Sequence, residues 1–216
     1  MTKSNTVRVA SIVGTVAVAA LLGLGMTDTE AVPAGSSAKT LDNLMTAFNG
    51  ESNAHARYLA FAEKAKAEGY GDVASLFRAA ASAEKIHAEN HAVVIKRLGG
   101  EPKADIGAPE VKSTRENLQA AIKGESYERD TMYPEFIAQA RKEGNRDALE
   151  TLNFAKSAEI EHAKLYAASL AGLDGLKGST GKTLYVCAVC GYTTEKVDFE
   201  KCPSCFNPKE KYVPVS

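Results

Sequence analysis

The sequence predicts an all-α four-helix bundle followed by a small metal-binding domain. Four long stretches of helix-forming residues each end near a glycine, and the second pair of stretches repeats the first. All four cysteines lie in the last thirty residues of the 216-residue chain. The chain is rich in alanine and contains no tryptophan, a composition that favours helices over a β-sandwich. Its formal net charge of -1 provides no basic face, so we predict no nucleic-acid partner.

Residues 1–36 have the layout of a secretory signal. A lysine and an arginine precede an uncharged run from Val9 to Thr27, and small residues follow around Ala34. The run is slightly long for a signal and slightly short for a membrane-spanning helix of about 20 residues. We therefore predict a signal peptide or a membrane anchor, with membrane association through residues 9–26. The expected location is exported, either periplasmic or membrane-anchored, and whether the segment is cleaved stays open.

Residues 37–175 are expected to form the bundle. The predicted helices run from Thr40 to about Glu68, from Asp72 to Leu98, from Ser113 to about Glu143 and from Asp147 to about Leu173. The first residue of each can cap its helix, and Ser113 with Glu116 has the spacing of a capping box. Helices of roughly 27 to 30 residues are about 40 Å long and rarely stand alone, so four of them imply a bundle.

The two helix pairs form an internal repeat with one extra residue in the second copy. Gly50-Glu51-Ser52 recurs as Gly124-Glu125-Ser126, and Glu84-Lys-Ile-His87 recurs as Glu159-Ile-Glu-His162. Matching glycines are 19 positions apart in the first helix and 20 apart in the third. A helix usually absorbs one extra residue as a π-bulge, and such bulges favour functional sites. Pro134 lies in this stretch and has no N–H to donate, so we predict a bulge between Tyr127 and Phe136.

The repeated motifs place carboxylates and histidines on the inward faces of the helices. Three positions along a helix keep Glu84 beside His87, and Glu159 beside His162. The third helix carries Glu125 and Glu128 at the same spacing, and Glu51 is the matching residue of the first helix. A solvated acidic face is the alternative, but the neighbours of Glu84 and Glu159 are small or apolar. Buried carboxylates need cations, and this combination of motifs is the pattern of ferritin-like di-iron bundles.

The cysteines form two Cys-x-x-Cys pairs, Cys187 with Cys190 and Cys202 with Cys205. This clustering points to one bound metal ion rather than to a disulfide framework. Four thiolates form a tetrahedral site that suits zinc or iron, so the residues alone leave the metal open. We expect residues 176–182, which are rich in glycine, to be a flexible linker and residues 183–216 to be the metal-binding domain.

Together these motifs resemble the rubrerythrin family over roughly residues 38–216. Further matches are Arg57-Tyr58, Met132-Tyr133-Pro134 and the Cys-Gly-Tyr sequence that ends at Tyr192. The resemblance implies a ferritin-like bundle followed by a small rubredoxin-like β domain. It implies that two irons are bound by Glu51, Glu84, His87, Glu125, Glu128, Glu159 and His162. It also implies that a single iron is bound by Cys187, Cys190, Cys202 and Cys205.

The resemblance further implies roles beside the irons. In this family one iron exchanges a histidine for a glutamate on oxidation, and by position these residues are His87 and Glu128. Tyr58 and Tyr133 are expected next to the irons, and we favour hydrogen bonds to ligand carboxylates over plain aromatic packing for both. These four residues are the candidate catalytic residues.

Two further histidines, His55 and His91, each follow a predicted ligand by four positions. We expect both at the surface. An additional metal ligand at His55 stays open, since a histidine there departs from the family pattern.

The implied function is a non-haem di-iron peroxidase that reduces hydrogen peroxide to water. Electrons would come from an external donor, a rubredoxin or a reductase, through the tetrathiolate iron. In this family the one-iron centre of one subunit approaches the di-iron centre of another, so we expect a head-to-tail homodimer. The alternatives are a ferroxidase or iron-handling protein and a membrane-tethered redox or metal sensor. A ferroxidase needs no supply of reductant, so the attached electron-transfer site argues against it.

Overall fold

The structure, a computed structural model, describes Met1 and residues 37–216. The expected signal peptide or anchor therefore lies outside the described residues, Met1 apart. The helices are α1 Ala38–Ala67, α2 Gly71–Arg97, α3 Thr114–Tyr127, α4 Tyr133–Lys142 and α5 Arg146–Ala171. Since α3 and α4 together make one bundle helix, the predicted four-helix bundle is confirmed.

A π-helical turn, Glu128–Met132, joins α3 to α4 and confirms the predicted bulge. In the first repeat seven positions separate Glu51 from Tyr58, and in the second eight positions separate Glu125 from Tyr133. The wider turn absorbs the additional residue. As a result the glutamate and the tyrosine of both copies are buried in the interior.

The caps are partly as predicted. Ser113 caps α3 in a capping box with Glu116, as its spacing predicts. The other three helices begin two or three residues before their predicted starts, with Ser37, Tyr70 and Asn145 as the cap residues. Both aspartates that were expected as caps lie in the first turn instead, where a carboxylate favourably meets the N-terminal end of the helix dipole.

Alanine and aromatic residues form the bundle core. One cluster surrounds the rings of Tyr58, Phe61 and Phe77, and a second surrounds Leu44 and Leu152. The alanines leave little side-chain bulk between the helices, so the backbones approach closely and the polar residues of the interior come within reach of one another.

The C-terminal segment is a three-stranded antiparallel sheet of order β2-β1-β3. Its strands are β1 Leu184–Cys187, β2 Thr193–Thr194 and β3 Tyr212–Val215. Leu184 and Val186 on β1 are fully buried in the same core cluster as Phe77 of the bundle. The small domain therefore packs directly on the helices, and the boundaries at residues 175 and 183 stay a prediction.

The linker is held in place rather than free, so the expected flexible tether is wrong. The N–H of Gly71 donates to the Ser179 carbonyl at 3.1 Å, and the N–H of Gly178 donates to the Gly69 carbonyl at 2.8 Å. The Ser179 hydroxyl also accepts from the N–H of Asp72 at 3.0 Å. These bonds attach the linker to the start of α2, because the first N–H groups of a helix have no partner within it.

Candidate metal centres

Six of the seven predicted iron ligands converge in the bundle interior, each at most 1% exposed. Their ligand atoms form two groups of four, and within each group all atoms lie within 4.8 Å of one another. One group is Glu51, Glu84, His87 and Glu159, and the other is Glu84, Glu125, Glu159 and His162. Because both groups contain Glu84 and Glu159, these two carboxylates can bridge a pair of metal ions.

The two groups have nearly the same internal geometry. Nδ1 of His87 lies 2.8 Å from Glu84 Oε2 and 3.2 Å from Glu159 Oε1. Nδ1 of His162 lies 2.9 Å from Glu159 Oε2 and 3.3 Å from Glu84 Oε1. The sequence repeat thus appears in space as two equivalent halves, each with its own histidine and both sharing the central carboxylates.

The outer glutamates are each held by a tyrosine from the other half of the repeat. The Tyr58 hydroxyl donates to Glu125 Oε1 at 2.5 Å, and the Tyr133 hydroxyl donates to Glu51 Oε1. The second oxygen of both glutamates is buried without a hydrogen-bond partner. The predicted tyrosine–carboxylate contacts are therefore present, and they orient the two glutamates.

The cluster requires cations. Among residues 37–216, eight of the eleven buried side-chain atoms without a hydrogen-bond partner are oxygens or nitrogens of these six residues. Burial raises the pKa of Glu125 to about 8 and that of Glu51 well above its ordinary range, with the charges of Glu159 and Glu84 adding to both. Leaving such groups charged and uncompensated costs several kcal/mol each. Carboxylates and imidazoles facing one point are a donor set that fits two iron ions.

Glu128 lies outside both groups of four. It is the first residue of the π-helical turn and is partly exposed. Burial of its carboxyl group and the negative charges of Glu51 and Glu125 raise its pKa well above the ordinary value. Its carboxylate is thus close enough for the charges of the cluster to shift its pKa, and its assignment as a ligand stays a prediction.

The small domain fixes the proton positions of both cluster histidines. Nε2 of His87 lies 3.1 Å from the Cys190 carbonyl, which can only accept, so Nε2 carries the proton. Nε2 of His162 lies 3.0 Å from the Thr193 hydroxyl, which itself donates to the Gly191 carbonyl. In both rings Nδ1 is therefore the lone-pair nitrogen and faces the carboxylates, as a metal ligand must.

Gly191 allows this contact. Its φ of +76° lies in the left-handed region, and a Cβ added there would lie 2.3 Å from His87 Nε2. A side chain at this position would push the cysteine loop away from the imidazole. The glycine of the Cys-Gly-Tyr motif thus serves both the turn and the close approach.

The four cysteines form a closed tetrathiolate. The sulfur atoms of Cys187 and Cys205 are 3.7 Å apart, and those of Cys190 and Cys202 are 3.6 Å apart. A tetrahedral site with metal–sulfur bonds of about 2.3 Å has edges of about 3.8 Å, whereas a disulfide bond is about 2.05 Å long. The Tyr212 hydroxyl donates to the Cys202 sulfur at 3.1 Å, which stabilises its thiolate.

The remaining histidines differ from one another. His55 is partly buried, and its Nδ1 contacts the Ala81 carbonyl at 2.7 Å, so it lies outside the metal-binding groups. His91 is fully buried, and the expectation that it lies at the surface is wrong. Four positions after His87 it shares that residue's inward face, a signal that the sequence contained.

Two functional contacts gave no sequence signal. Thr193 and Thr151 belong to no motif that the sequence analysis found, yet Thr193 positions His162 and Thr151 contacts His91 at 2.9 Å. Only the docking of the small domain and the packing of α5 against α2 bring these hydroxyls to the histidines.

Comparison with known proteins decides the family. The family model described as Rubrerythrin matches residues 42–170. The chain belongs to the rubrerythrin family. Nigerythrin from Nitratidesulfovibrio vulgaris is 41% identical over 174 residues, which cover 80% of this chain and 85% of that protein. Rubrerythrin-2 from Clostridium acetobutylicum is 38% identical over 177 residues, which cover 81% of this chain and 96% of that protein.

Solved structures agree. The fully reduced, all-ferrous state of nigerythrin matches with a TM-score of 0.74 and 40% identity, over 81% of this chain and 86% of that chain. With this family relationship and the two side-chain clusters, the cofactor prediction is confirmed: this rubrerythrin-family protein carries a di-iron site in the bundle and a rubredoxin-type iron at the tetrathiolate.

The predicted location is wrong. No helix among residues 37–216 is long and apolar enough to cross a membrane. The curated relatives that match the chain are a nigerythrin and rubrerythrins, and nothing in these matches points to an exported, periplasmic or membrane-anchored protein.

Proposed function

We propose that this rubrerythrin-family protein is a non-haem di-iron peroxidase, which reduces hydrogen peroxide to water with electrons relayed through its tetrathiolate iron. The observation that carries the proposal is the hydrogen bond from His87 Nε2–H to the carbonyl of Cys190. One residue of the tetrathiolate thus touches one residue of the carboxylate cluster, with both side chains buried. A short covalent and hydrogen-bonded connection of this kind suits a protein that must resupply electrons to the bundle.

We propose the six buried residues as ligands of the two irons, with Glu84 and Glu159 shared between them. When bound, iron supplies the redox chemistry: the two ions in the bundle provide the two electrons that hydrogen peroxide takes up, and the tetrathiolate iron changes its charge by one, which zinc cannot do. Tyr58 and Tyr133 hold the outer carboxylates in place. Burial of the cluster excludes bulk water, which strengthens every electrostatic contact within it.

Glu128 and His87 are proposed to serve different oxidation states. Ferric iron prefers anionic oxygen, whereas ferrous iron accepts a neutral imidazole readily. The structure has the His87 imidazole at the cluster and the Glu128 carboxylate outside it. His87 would hold iron in the reduced protein, and Glu128 is the nearby carboxylate that would take its place on oxidation.

A head-to-tail homodimer stays a prediction. Because the tetrathiolate and the carboxylate cluster meet within one chain, the relay that we propose needs no second subunit. Mixing two inactive variants tests this point. Cys202→Ser removes a thiolate and Glu159→Ala removes a bridging carboxylate; recovered activity after co-refolding shows transfer between subunits, and no recovery supports transfer within the chain.

Stopped-flow mixing of the anaerobically reduced protein with hydrogen peroxide or with dioxygen tests the proposed activity. A peroxidase is oxidised much faster by peroxide than by dioxygen. Fast oxidation by dioxygen and slow oxidation by peroxide would instead support the ferroxidase alternative.

A further inference from the structure

A chain of four hydrogen-bonded side chains runs from the cluster toward the protein surface. The Tyr133 hydroxyl donates to Glu51 and lies 3.2 Å from Nε2 of His91. Nδ1 of His91 lies 2.9 Å from the hydroxyl of Thr151. Both His91 and Tyr133 are fully buried, and Thr151 is 5% exposed.

The direction of every bond in this chain can be assigned. The Tyr133 hydroxyl uses its only proton toward Glu51, so its oxygen accepts from His91 and Nε2 of His91 carries the proton. Nδ1 then holds a lone pair and accepts from the Thr151 hydroxyl. Burial lowers the pKa of His91 to about 3, which keeps the ring neutral and supports this assignment. All donors therefore point inward.

The outer end of the chain meets solvent. Thr151 lines a surface cavity of about 210 Å³, together with Asn90, Glu150 and Val189. A water molecule occupies about 30 Å³ of liquid, so the cavity has room for several. Val189 belongs to the cysteine loop, and Asn90 donates to its carbonyl at 2.9 Å, so the cavity lies where the small domain meets α2 and α5.

The other half of the repeat lacks this path. His91 and Thr151 correspond to Tyr166 and Leu76, counted from the matching aspartates. The Tyr166 hydroxyl is buried and has no hydrogen-bond partner among the described residues. Leu76 is apolar and 1% exposed. The pseudo-symmetry of the cluster is thus broken at the positions that connect one tyrosine to solvent.

We propose that Thr151 and His91 form a proton path that resupplies the Tyr133 hydroxyl from water in the cavity. The inference rests on the proposed peroxidase function, because reducing hydrogen peroxide to two water molecules consumes two protons with two electrons. For each proton that leaves Tyr133 toward the Glu51 side, the Tyr133 oxygen takes the Nε2 proton of His91. Nδ1 of His91 takes the Thr151 proton, and Thr151 takes one from cavity water. One proton enters for each that leaves, and no electron moves along the path. Each passage leaves the proton of His91 on Nδ1, so the ring exchanges protons with water before it delivers another.

The experiment compares the iron-loaded wild type with Thr151→Val, Thr151→Ser and His91→Phe. The valine variant removes the donor and keeps the shape, the serine variant restores the hydroxyl, and Leu76→Val, at the matching position, controls for altered packing. Rates of oxidation by hydrogen peroxide are measured in H₂O and in D₂O. Iron content and the infrared difference spectrum between wild type and His91→Phe, which reports the His91 tautomer, provide readouts independent of turnover.

We expect Thr151→Val and His91→Phe to lower the oxidation rate about 100-fold or more with unchanged iron content, because a positioned proton-transfer group contributes about 10²- to 10⁴-fold. The serine variant should regain most of the rate, the ratio of rates in H₂O and D₂O should change in Thr151→Val, and the infrared spectrum should show the Nε2–H tautomer. Rates within about twofold of wild type, a loss equal to that of Leu76→Val, or an Nδ1–H tautomer would overturn the proposal. If peroxide does not oxidise the wild type, the peroxidase function is rejected instead. The infrared measurement of the His91 tautomer then still tests the direction of the hydrogen bonds along the path.

Discussion

Replacing Gly191 by alanine should separate the tetrathiolate from the carboxylate cluster. The added Cβ would lie 2.3 Å from His87 Nε2 and 3.2 Å from the Ala83 carbonyl oxygen, so the cysteine loop must move outward. This movement breaks the hydrogen bond between His87 and the Cys190 carbonyl. An unsatisfied buried N–H costs about 1–3 kcal/mol, which lowers the ratio of docked to undocked molecules about 5- to 150-fold. If electrons pass through the docked arrangement, their transfer slows by up to the same factor.

The assay is a single turnover of the fully reduced protein with hydrogen peroxide. The visible absorption of the ferric tetrathiolate reports electron transfer out of that centre, and its full intensity after oxidation shows that the centre still binds iron. Gly144→Ala is the matched control, because Gly144 also has a positive φ of +68° but no atom within 4 Å of an added Cβ. It therefore imposes the same backbone strain without a steric contact.

Once its bundle is fully loaded with iron, the variant should show oxidation of the tetrathiolate slowed more than oxidation of the bundle. The reasoning is refuted if Gly191→Ala and Gly144→Ala both transfer electrons at the wild-type rate. It is also refuted if oxidation of the bundle slows as much as that of the tetrathiolate, because the substitution would then act on the cluster and not on the docking.

Three further outcomes are expected. Glu128→Ala should impair peroxide turnover more than ferrous-iron binding, measured by stopped-flow and by iron titration, and equal losses would count against a role in oxidation. Thr193→Val should weaken iron binding in the bundle about 10- to 100-fold in a chelator competition, because it removes the acceptor for His162 Nε2–H; unchanged affinity would contradict this. Glu68 accepts from the N–H and hydroxyl of Thr114, which lower its pKa to about 2. Since the folded-state pKa lies below the unfolded one, the free energy of unfolding should be about 0.5–1 kcal/mol higher for wild type than for Glu68→Gln above pH 4.5, as measured by thermal unfolding. This difference should disappear as the pH falls toward 2. A difference independent of pH would contradict the role given to Glu68.

Much of the metal site could be predicted from spacing along single helices. Glu84 and His87 share a face because they lie three positions apart, and the π-helical turn follows from one additional residue in a repeat. These inferences are local, so they depend only on the 3.6-residue period and on comparison of the two copies.

The contacts between the small domain and the cluster could not be predicted in this way. Cys190 and His87 are 103 positions apart, and their contact depends on how a linker that reads as flexible is attached to the start of α2. The prediction that His91 lies at the surface was wrong because the sequence of one helix does not show which neighbouring helix packs against each of its faces. Thr151 of α5 covers it in the structure.

The most direct test of the account is the location of iron in crystals of the loaded protein, from anomalous differences measured at the iron absorption edge. The account predicts three sites per chain. Two lie about 3.5–4 Å apart between Glu84 and Glu159, one beside His87 and the other beside His162, and the third lies among the four cysteine sulfurs. A single iron in the bundle, or irons bound away from these glutamates, would contradict the di-iron assignment of these residues and the peroxidase function proposed from it.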